Sequence, residues 1–502
     1  MIARIKTPTR IAPLAACATA LWLLACDPSQ ASEVQQQAMG APQSCYLSGI
    51  SDRARCGFVE VPENAAKPDG RKIQVHYAVL PAIKPSFPNE AFLAIAGGPG
   101  QSAIDNAVGF ERTFAEIRQS RDILLIDQRG TGRSNLLNCD LGPDAMSLAF
   151  DDEKLDSAAE AAKCRNSLDA DIAQYGSRAA LEDFEAVRKA LGYDKLHVYG
   201  ISYGTRMAQL YLKHYPESLL TVTLDGVVPM QQSVLAIGDA IDRAVELMLA
   251  DCEQNSQCHT QFPVLRDELA MVNQRLDQAP VRLMVNHPRS GEATEFLLTR
   301  NKFASVVRLA LYATNVRALL PLAIHQAAAG NYQGILGLHG MMLDGLDLAM
   351  GMHSSVVCGE DIPRLDAAMR AKLNQSYYGA NMIKGLEEVC TQWPVPAADA
   401  TFAEGVRSNL PVLLLSGEID PATPPQWAEL AMANMSNAKH LVAPYATHGV
   451  AQQSCGNKLV AQLVNSGSLK EIQGDCLNKD VRRSFYLNAS TVEPLPATIN
   501  KE

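Results

Sequence analysis

Short, continuous apolar runs recur along this chain, separated by longer stretches with helical spacing. The runs are Phe92–Ala96, Ile123–Ile126, Leu196–Tyr199, Leu220–Leu224, Val412–Leu415 and His440–Val442. Apolar runs without alternation are the mark of strands buried on both faces, so they predict a mostly parallel sheet. Helical segments such as Ser177 to Leu191 lie between most of them, the rhythm of a doubly wound α/β sheet. Upstream, residues 57–81 alternate around a Pro-Asp-Gly turn at 68–70, predicting a hairpin of Phe58–Val61 with Ile73–Leu80. From 231 to 406 the rhythm stops, and a mostly helical pattern rich in Ala, Leu and Met takes over. This interval lies between two sheet strands, so it predicts a helical cap inserted into the sheet domain. The expected division is therefore 26–55 as a linker, 56–230 and 407–488 as the two parts of the sheet domain, and a loose Thr/Pro-rich tail over 489–502.

Two strand ends carry chemistry. At 200–204, Gly-Ile-Ser-Tyr-Gly follows an apolar strand and precedes the helical segment Arg206–His214. A serine between two glycines at a sharp strand-to-helix turn is the nucleophile elbow of the α/β-hydrolase fold, with Ser202 as the nucleophile. The glycines keep side chains clear of a strained backbone. At 97–100, Gly-Gly-Pro-Gly follows Phe92–Ala96, where backbone N–H groups can face a reacting carbonyl. The oxyanion hole would pair the Tyr203 N–H with that of Gly98 or Gly97.

The remaining partners arrive in the order this fold uses. Asp420 follows the strand Val412–Leu415, and His448 lies in a loop beyond the strand near Leu441. Ser202, Asp420 and His448 then give nucleophile, orienting acid and base. Asp225, which follows Leu220–Leu224, is an alternative acid and Glu418 a neighbour of the preferred one. His440 lies within a strand and reads as packed or exposed. His325, His339 and His353 read as ordinary polar positions of the cap.

Several of these runs together resemble the prolyl aminopeptidase and tripeptidyl aminopeptidase group of α/β-hydrolases. The matching residues are Gly97-Gly98-Pro99-Gly100, Asp127 to Ser134, Gly200 to Thr205 and Gly417 to Pro421. The region after about Pro394 looks like the carboxy-terminal part of tripeptidyl aminopeptidases. The resemblance spans roughly Cys56 to Leu487 and is weakest in the cap. It implies a serine exopeptidase acting on peptides with a free N-terminus, with no cofactor. Arg129 is expected to brace the oxyanion loop. Ala96 stands where prolyl aminopeptidases carry histidine, which argues against strict proline specificity.

An aminopeptidase must hold an ammonium group, which wants nearby carboxylates. Similar cap acids anchor the amine in the family, so Glu360, then Asp361, are the candidates here, with Asp344 and Asp347 behind them. Met341, Met342, Met350 and Met352 are candidates for an apolar pocket or for plain core. Two other readings stand beside the peptidase: an esterase on the same triad, and a catalytically inactive binding lipoprotein.

Composition narrows the setting. The chain has 502 residues and a net charge of −10 with no basic block, which gives nucleic-acid binding no electrostatic support. Arg4, Lys6 and Arg10 precede an apolar stretch, Ile11 to Ala25, that is too short for an ordinary membrane span. It ends Leu23-Leu24-Ala25-Cys26, which resembles a bacterial lipobox with Cys26 as the lipidated residue. Asp27 resembles an inner-membrane retention signal, and cleavage after Ala31 is the alternative. Loss of residues 1–25 removes three positive charges and no negative ones, taking −10 to −13.

Beyond Cys17 and Cys26, ten cysteines remain, an even set in an exported chain and therefore expected as disulfides. Taken in sequence order they suggest Cys45–Cys56, Cys139–Cys164, Cys252–Cys258, Cys358–Cys390 and Cys455–Cys476. None of the spacings is that of a zinc site.

Overall fold

The computed structural model describes residues 39–139, 142, 147–287, 290–343 and 348–494. The expected signal segment, Cys26, Asp344 and Asp347 lie outside the described residues, as does the side chain of Met342. Seven strands lead into the structure: β1 (Met39–Cys45), β2 (Ala54–Pro62), β3 (Lys72–Leu80), β4 (Glu90–Ile95), β5 (Asp122–Ile126), β6 (Lys195–Ile201) and β7 (Leu219–Asp225). Then come β8 (Val281–Asn286) and β9 (Ala293–Leu298), followed by β10 (Val412–Gly417) and β11 (Ala438–Ala443).

Nine of these form one sheet in the order β1-β2-β3-β5-β4-β6-β7-β10-β11. From β5 to β11 every pairing is parallel, and β1, β2 and β3 add an antiparallel edge. Strands β4, β5, β6, β7 and β10 are buried along almost their whole length, which is why they read as unbroken apolar runs, while β11 at the edge is half-buried. One face packs against the helices Ser177–Ala190 and Tyr203–His214 through Leu181, Phe184, Met207 and Tyr211. The other packs Phe92 and Tyr199 against Phe110, Phe114 and the helix Gly456–Ser466. Strand order reverses at β4, whose neighbours are β5 and β6. In open α/β sheets, crevices at the carboxyl ends of such strands are where ligands bind.

Between β7 and β10 the described residues form helices with their own apolar core, including Met248, Phe262, Phe303 and Leu336. They also contain the antiparallel pair β8–β9, which a purely helical reading misses. Val281, Leu283 and Val285 alternate there with exposed residues, a strand pattern of period two. Among the described residues no helix is long and apolar enough to cross a membrane.

Both ends of the fold need correction. The expected linker contains β1, paired with β2 at the sheet edge and stapled to it by Cys45–Cys56. The expected loose tail is held as far as Glu493, because Thr491–Val492 pairs with Tyr486–Asn488 and the buried Glu493 carboxylate takes Arg482 at 2.6 Å. All five neighbour-in-sequence disulfides are present, with Cα–Cα distances between 5.1 and 6.2 Å.

Candidate active site

Ser202 occupies the turn between β6 and the helix Tyr203–His214 with φ 57° and ψ −126°. A non-glycine residue there costs about 1–3 kcal/mol and persists only where its surroundings enforce it. They do so by close packing. A Cβ on Gly204 would lie 2.5 Å from the Ile95 carbonyl oxygen, and one on Gly200 would run into the Gly204 carbonyl. The Ser202 N–H donates to the Asp225 carbonyl at 3.0 Å, which ties the turn to the end of β7.

Asp420 follows β10 and is fully buried. Its carboxylate accepts from the Ala422 and Thr423 N–H groups at 2.7 and 3.0 Å and from the Thr423 hydroxyl at 2.7 Å. It also accepts from His448 Nδ1 at 2.9 Å. Burial alone would raise the Asp420 pKa, but the His448 charge and these hydrogen bonds hold it below the usual carboxylate range. Burial alone would lower that of His448, and Asp420 outweighs it, so the imidazole is raised above its ordinary value. With Nδ1 donating to Asp420, Nε2 is left with the lone pair a general base needs. The Tyr312 ring meets the His448 ring edge-on at 5.2 Å between centroids.

Asp225 has a different task. Its two carboxylate oxygens accept from the Val450 and Ala451 N–H groups at 2.8 Å each, and from the Tyr199 hydroxyl at 2.8 Å. It therefore anchors the turn just beyond His448. The imidazole passes over Gly226, where a Cβ would be 3.0 Å from Cε1. Ser202 and His448 thus flank the same short stretch, Asp225–Gly226.

The glycine loop after β4 faces Ser202, since a Cβ on Gly97 would lie 3.0 Å from the serine Cβ. The Gly97 N–H is taken by Gln101 Oε1 at 3.1 Å. That leaves Gly98, at φ +108°, and Tyr203, first residue of its helix and so without an intrahelical acceptor, as the candidate oxyanion-hole donors. Asp127 braces the loop, accepting from Ser102 Oγ at 2.6 Å and the Ile104 N–H at 3.1 Å. Arg129 does not. It pairs with Asp183 through two 2.6 Å bonds and caps the Glu63 and Gln174 carbonyls, on the far side of the Asp-Gln-Arg-Gly turn.

The candidate amine anchors lie in the insert itself and are already engaged. Asp361 accepts two 2.9 Å bonds from Arg206 and is also paired with Arg364 at 3.2 Å. Glu360 accepts from the Ser177 N–H at 2.6 Å and its hydroxyl at 2.7 Å, with Arg206 3.5 Å away. Two carboxylates and two guanidinium groups balance, so the cluster offers no net charge to an incoming ammonium. What it does touch is the serine's neighbour. Ser177 Oγ lies 2.6 Å from the Tyr203 hydroxyl, to which Gln128 also donates at 3.1 Å.

Other candidates fall outside the site. Glu418 pairs with Arg243 at 2.6 Å, His440 meets Ser416 at 3.0 Å, and His325 meets Glu268 at 2.7 Å. His339 packs beside Phe296. His353, expected to be ordinary, instead donates to the Pro99 carbonyl at 3.1 Å and so reaches the glycine loop. Met352 is core, whereas Met341 and Met350 are exposed. Among the described residues no group of three metal-ligating side chains is present.

The matches with known proteins follow this geometry. A family described as alpha/beta hydrolase fold matches residues 90–278, which hold the glycine loop and Ser202. A second, described as TAP-like protein, matches 375–476, which hold Asp420 and His448. Serine protease Hip1 of Mycobacterium tuberculosis is 23% identical over 85% of this chain and 88% of its own length. Carboxylesterase B of the same species is 25% identical over 82% and 83%. Two matches are shorter. The chain spans 40% of the length of the putative hydrolase YuaR of Escherichia coli, at 28% identity over 37% of this chain. It spans 35% of a tripeptidyl aminopeptidase of Streptomyces lividans, at 25% identity over 35% of this chain. A mostly parallel sheet reversing at β4, a strained serine at the end of β6 and these matches lead to one conclusion: the chain is a serine hydrolase of the α/β-hydrolase fold.

Proposed function

We propose that the protein is an exported serine exopeptidase, an aminopeptidase that releases N-terminal residues or short peptides through an acyl-enzyme. The observation that carries this reading is the convergence of Ser202, the His448–Asp420 pair and the Gly98 and Tyr203 N–H groups at the ends of β6, β10, β11 and β4. Ser202 Oγ attacks the scissile carbonyl while His448 Nε2 takes its proton. The developing oxyanion receives the two N–H bonds, and His448 returns the proton to the leaving amine. Water then repeats the sequence on the ester. Asp420 holds the imidazole in the required tautomer and stabilises its charged form.

The protease and tripeptidyl aminopeptidase among the relatives, and the TAP-like match, support the choice of peptides. An esterase on the same triad is the second reading, favoured by the carboxylesterase relative. Five disulfides fit an oxidising compartment, and the proposed lipid anchor at Cys26 would keep the enzyme at the membrane. The deciding assay compares amino-acyl and tripeptidyl anilides, free and N-acetylated, with a nitrophenyl ester, each against Ser202→Ala. Free anilides should be cut faster than blocked ones, and Ser202→Ala should lose about 10⁴-fold or more in kcat. Equal rates on free and blocked substrates refute the aminopeptidase reading, and ester turnover alone selects the esterase. Full activity in Ser202→Ala overturns the triad.

A further inference from the structure

Buried guanidinium nitrogens without a hydrogen-bond partner occur on four arginines, Arg206, Arg300, Arg308 and Arg317. Three of these guanidinium groups have a carboxylate within ion-pair distance: Asp361 on Arg206, Asp277 on Arg300 and Asp251 on Arg317. Among the described residues Arg308 has none. Its side-chain hydrogen bond among the described residues goes to Met382 Sδ at 3.3 Å, a weak acceptor for a cation that usually seeks a carboxylate or phosphate. Arg308 is half-buried on the helix Arg300–Ala310 of the insert, one turn before Tyr312. Tyr312 in turn packs edge-on against His448, and its carbonyl accepts from the Thr447 hydroxyl at 2.6 Å. The positive charge of Arg308 bears both on Tyr312, beside the histidine, and on His353, which holds the glycine loop. A cation without a carboxylate partner among the described residues is thus placed one turn from the residue that packs on His448.

We propose that Arg308 is a substrate-binding residue that receives a carboxylate on the substrate, so that the enzyme selects anionic acyl or peptide substrates. The fork of a guanidinium matches a carboxylate through two parallel bonds, which a thioether sulfur cannot supply. In a peptide the carboxylate comes either from the C-terminus of a short chain or from an acidic side chain. The inference rests on Ser202 being the reactive residue but not on peptides being the physiological substrate.

The test therefore uses esters first. For mono-4-nitrophenyl succinate and 4-nitrophenyl butyrate, the kcat/KM ratio should favour the succinate in the wild type. It should fall by about 10- to 100-fold in Arg308→Met, the range expected for loss of a hydrogen bond to a charged group. Arg308→Lys should keep part of the preference. In the wild type, free succinamate should compete with the neutral ester where the uncharged butyramide does not, a measurement that needs no variant. An unchanged ratio in Arg308→Met overturns the proposal, as does equal competition by succinamate and butyramide. Peptide arms then separate the sources: Ala-Ala-Ala against its C-terminal amide, and Ala-Ala-Glu-amide against Ala-Ala-Gln-amide. If the ester ratio shifts while no peptide is cut, Arg308 keeps its role and the peptidase reading fails.

Discussion

Asp225 and Asp420 both end a strand beside His448, and replacing each with asparagine should have opposite consequences. An asparagine at 225 can accept only through one oxygen, so its amide must face either the Val450 or the Ala451 N–H, now 2.8 Å from the carboxylate. One hydrogen bond to a charged acceptor is lost, about 1.5–3 kcal/mol, and one buried donor is left unpaired, about 1–3 kcal/mol. Asp225→Asn should therefore lower stability by about 3–6 kcal/mol, with a fall in kcat of about tenfold as the His448 loop loosens. Asp420→Asn keeps most of its fixed backbone contacts but presents the wrong tautomer to Nδ1. Its expected loss is about 10⁴ in kcat with a smaller change in unfolding. Thermal and urea unfolding, read beside kcat on one anilide or ester, separates the two. A fall in kcat for Asp225→Asn as deep as that of Asp420→Asn, with unfolding unchanged, would refute the assignment.

The pH profile offers an independent check. Because His448 must be neutral to act and its pKa is raised above the ordinary 6.5, kcat/KM should decline as pH falls through a value above 6.5. In Asp420→Asn burial is left to dominate, so that limb should move to lower pH. Gly204→Ala places a methyl 2.5 and 2.6 Å from two backbone carbonyls, and soluble yield should collapse rather than activity alone. Asp361→Asn breaks the buried pair with Arg206 and leaves Glu360 as the one carboxylate among the described residues facing Arg206 and Arg364, and calorimetry or urea unfolding should show a loss of about 3–5 kcal/mol. The Asp361 pKa is depressed below its ordinary 3.8. Its share of stability is therefore present above that value and lost as pH falls through the lower folded one, which unfolding scans from pH 5 downward would reveal.

Much of the fold was legible because buried parallel strands leave continuous apolar runs, and each run maps onto a strand of the sheet. The site was legible for a related reason. Chemistry at strand ends leaves local signatures, a serine between glycines or a histidine before a turn. What could not be read was the destination of long side chains. Arg129 sits in the most distinctive run of the chain, yet nothing local says whether its guanidinium turns toward the glycine loop or toward Asp183, 54 residues away in sequence. Glu360 and Asp361 failed in the same way, because their partner Arg206 lies 155 residues before Asp361 on the helix after the serine. The β8–β9 pair is a different case. Its period-two pattern was present at Val281, Leu283 and Val285, but was absorbed into the surrounding helical composition.

The insert bears on the chemistry through more than coverage. Tyr312 packs against His448, His353 holds Pro99, and Glu360 is joined through Ser177 to the hydroxyl of Tyr203. Each contact reaches a different part of the proposed machinery: the base, the glycine loop and the residue whose N–H faces the oxyanion. The segment Met350–Arg364 that supplies two of them is tied by Cys358–Cys390 to the helix Ala380–Thr391, the element that also places Met382 beside Arg308. If the insert holds substrate through Arg308 as proposed, substitutions that reshape it would alter kcat together with KM, because the insert also touches His448 and the glycine loop.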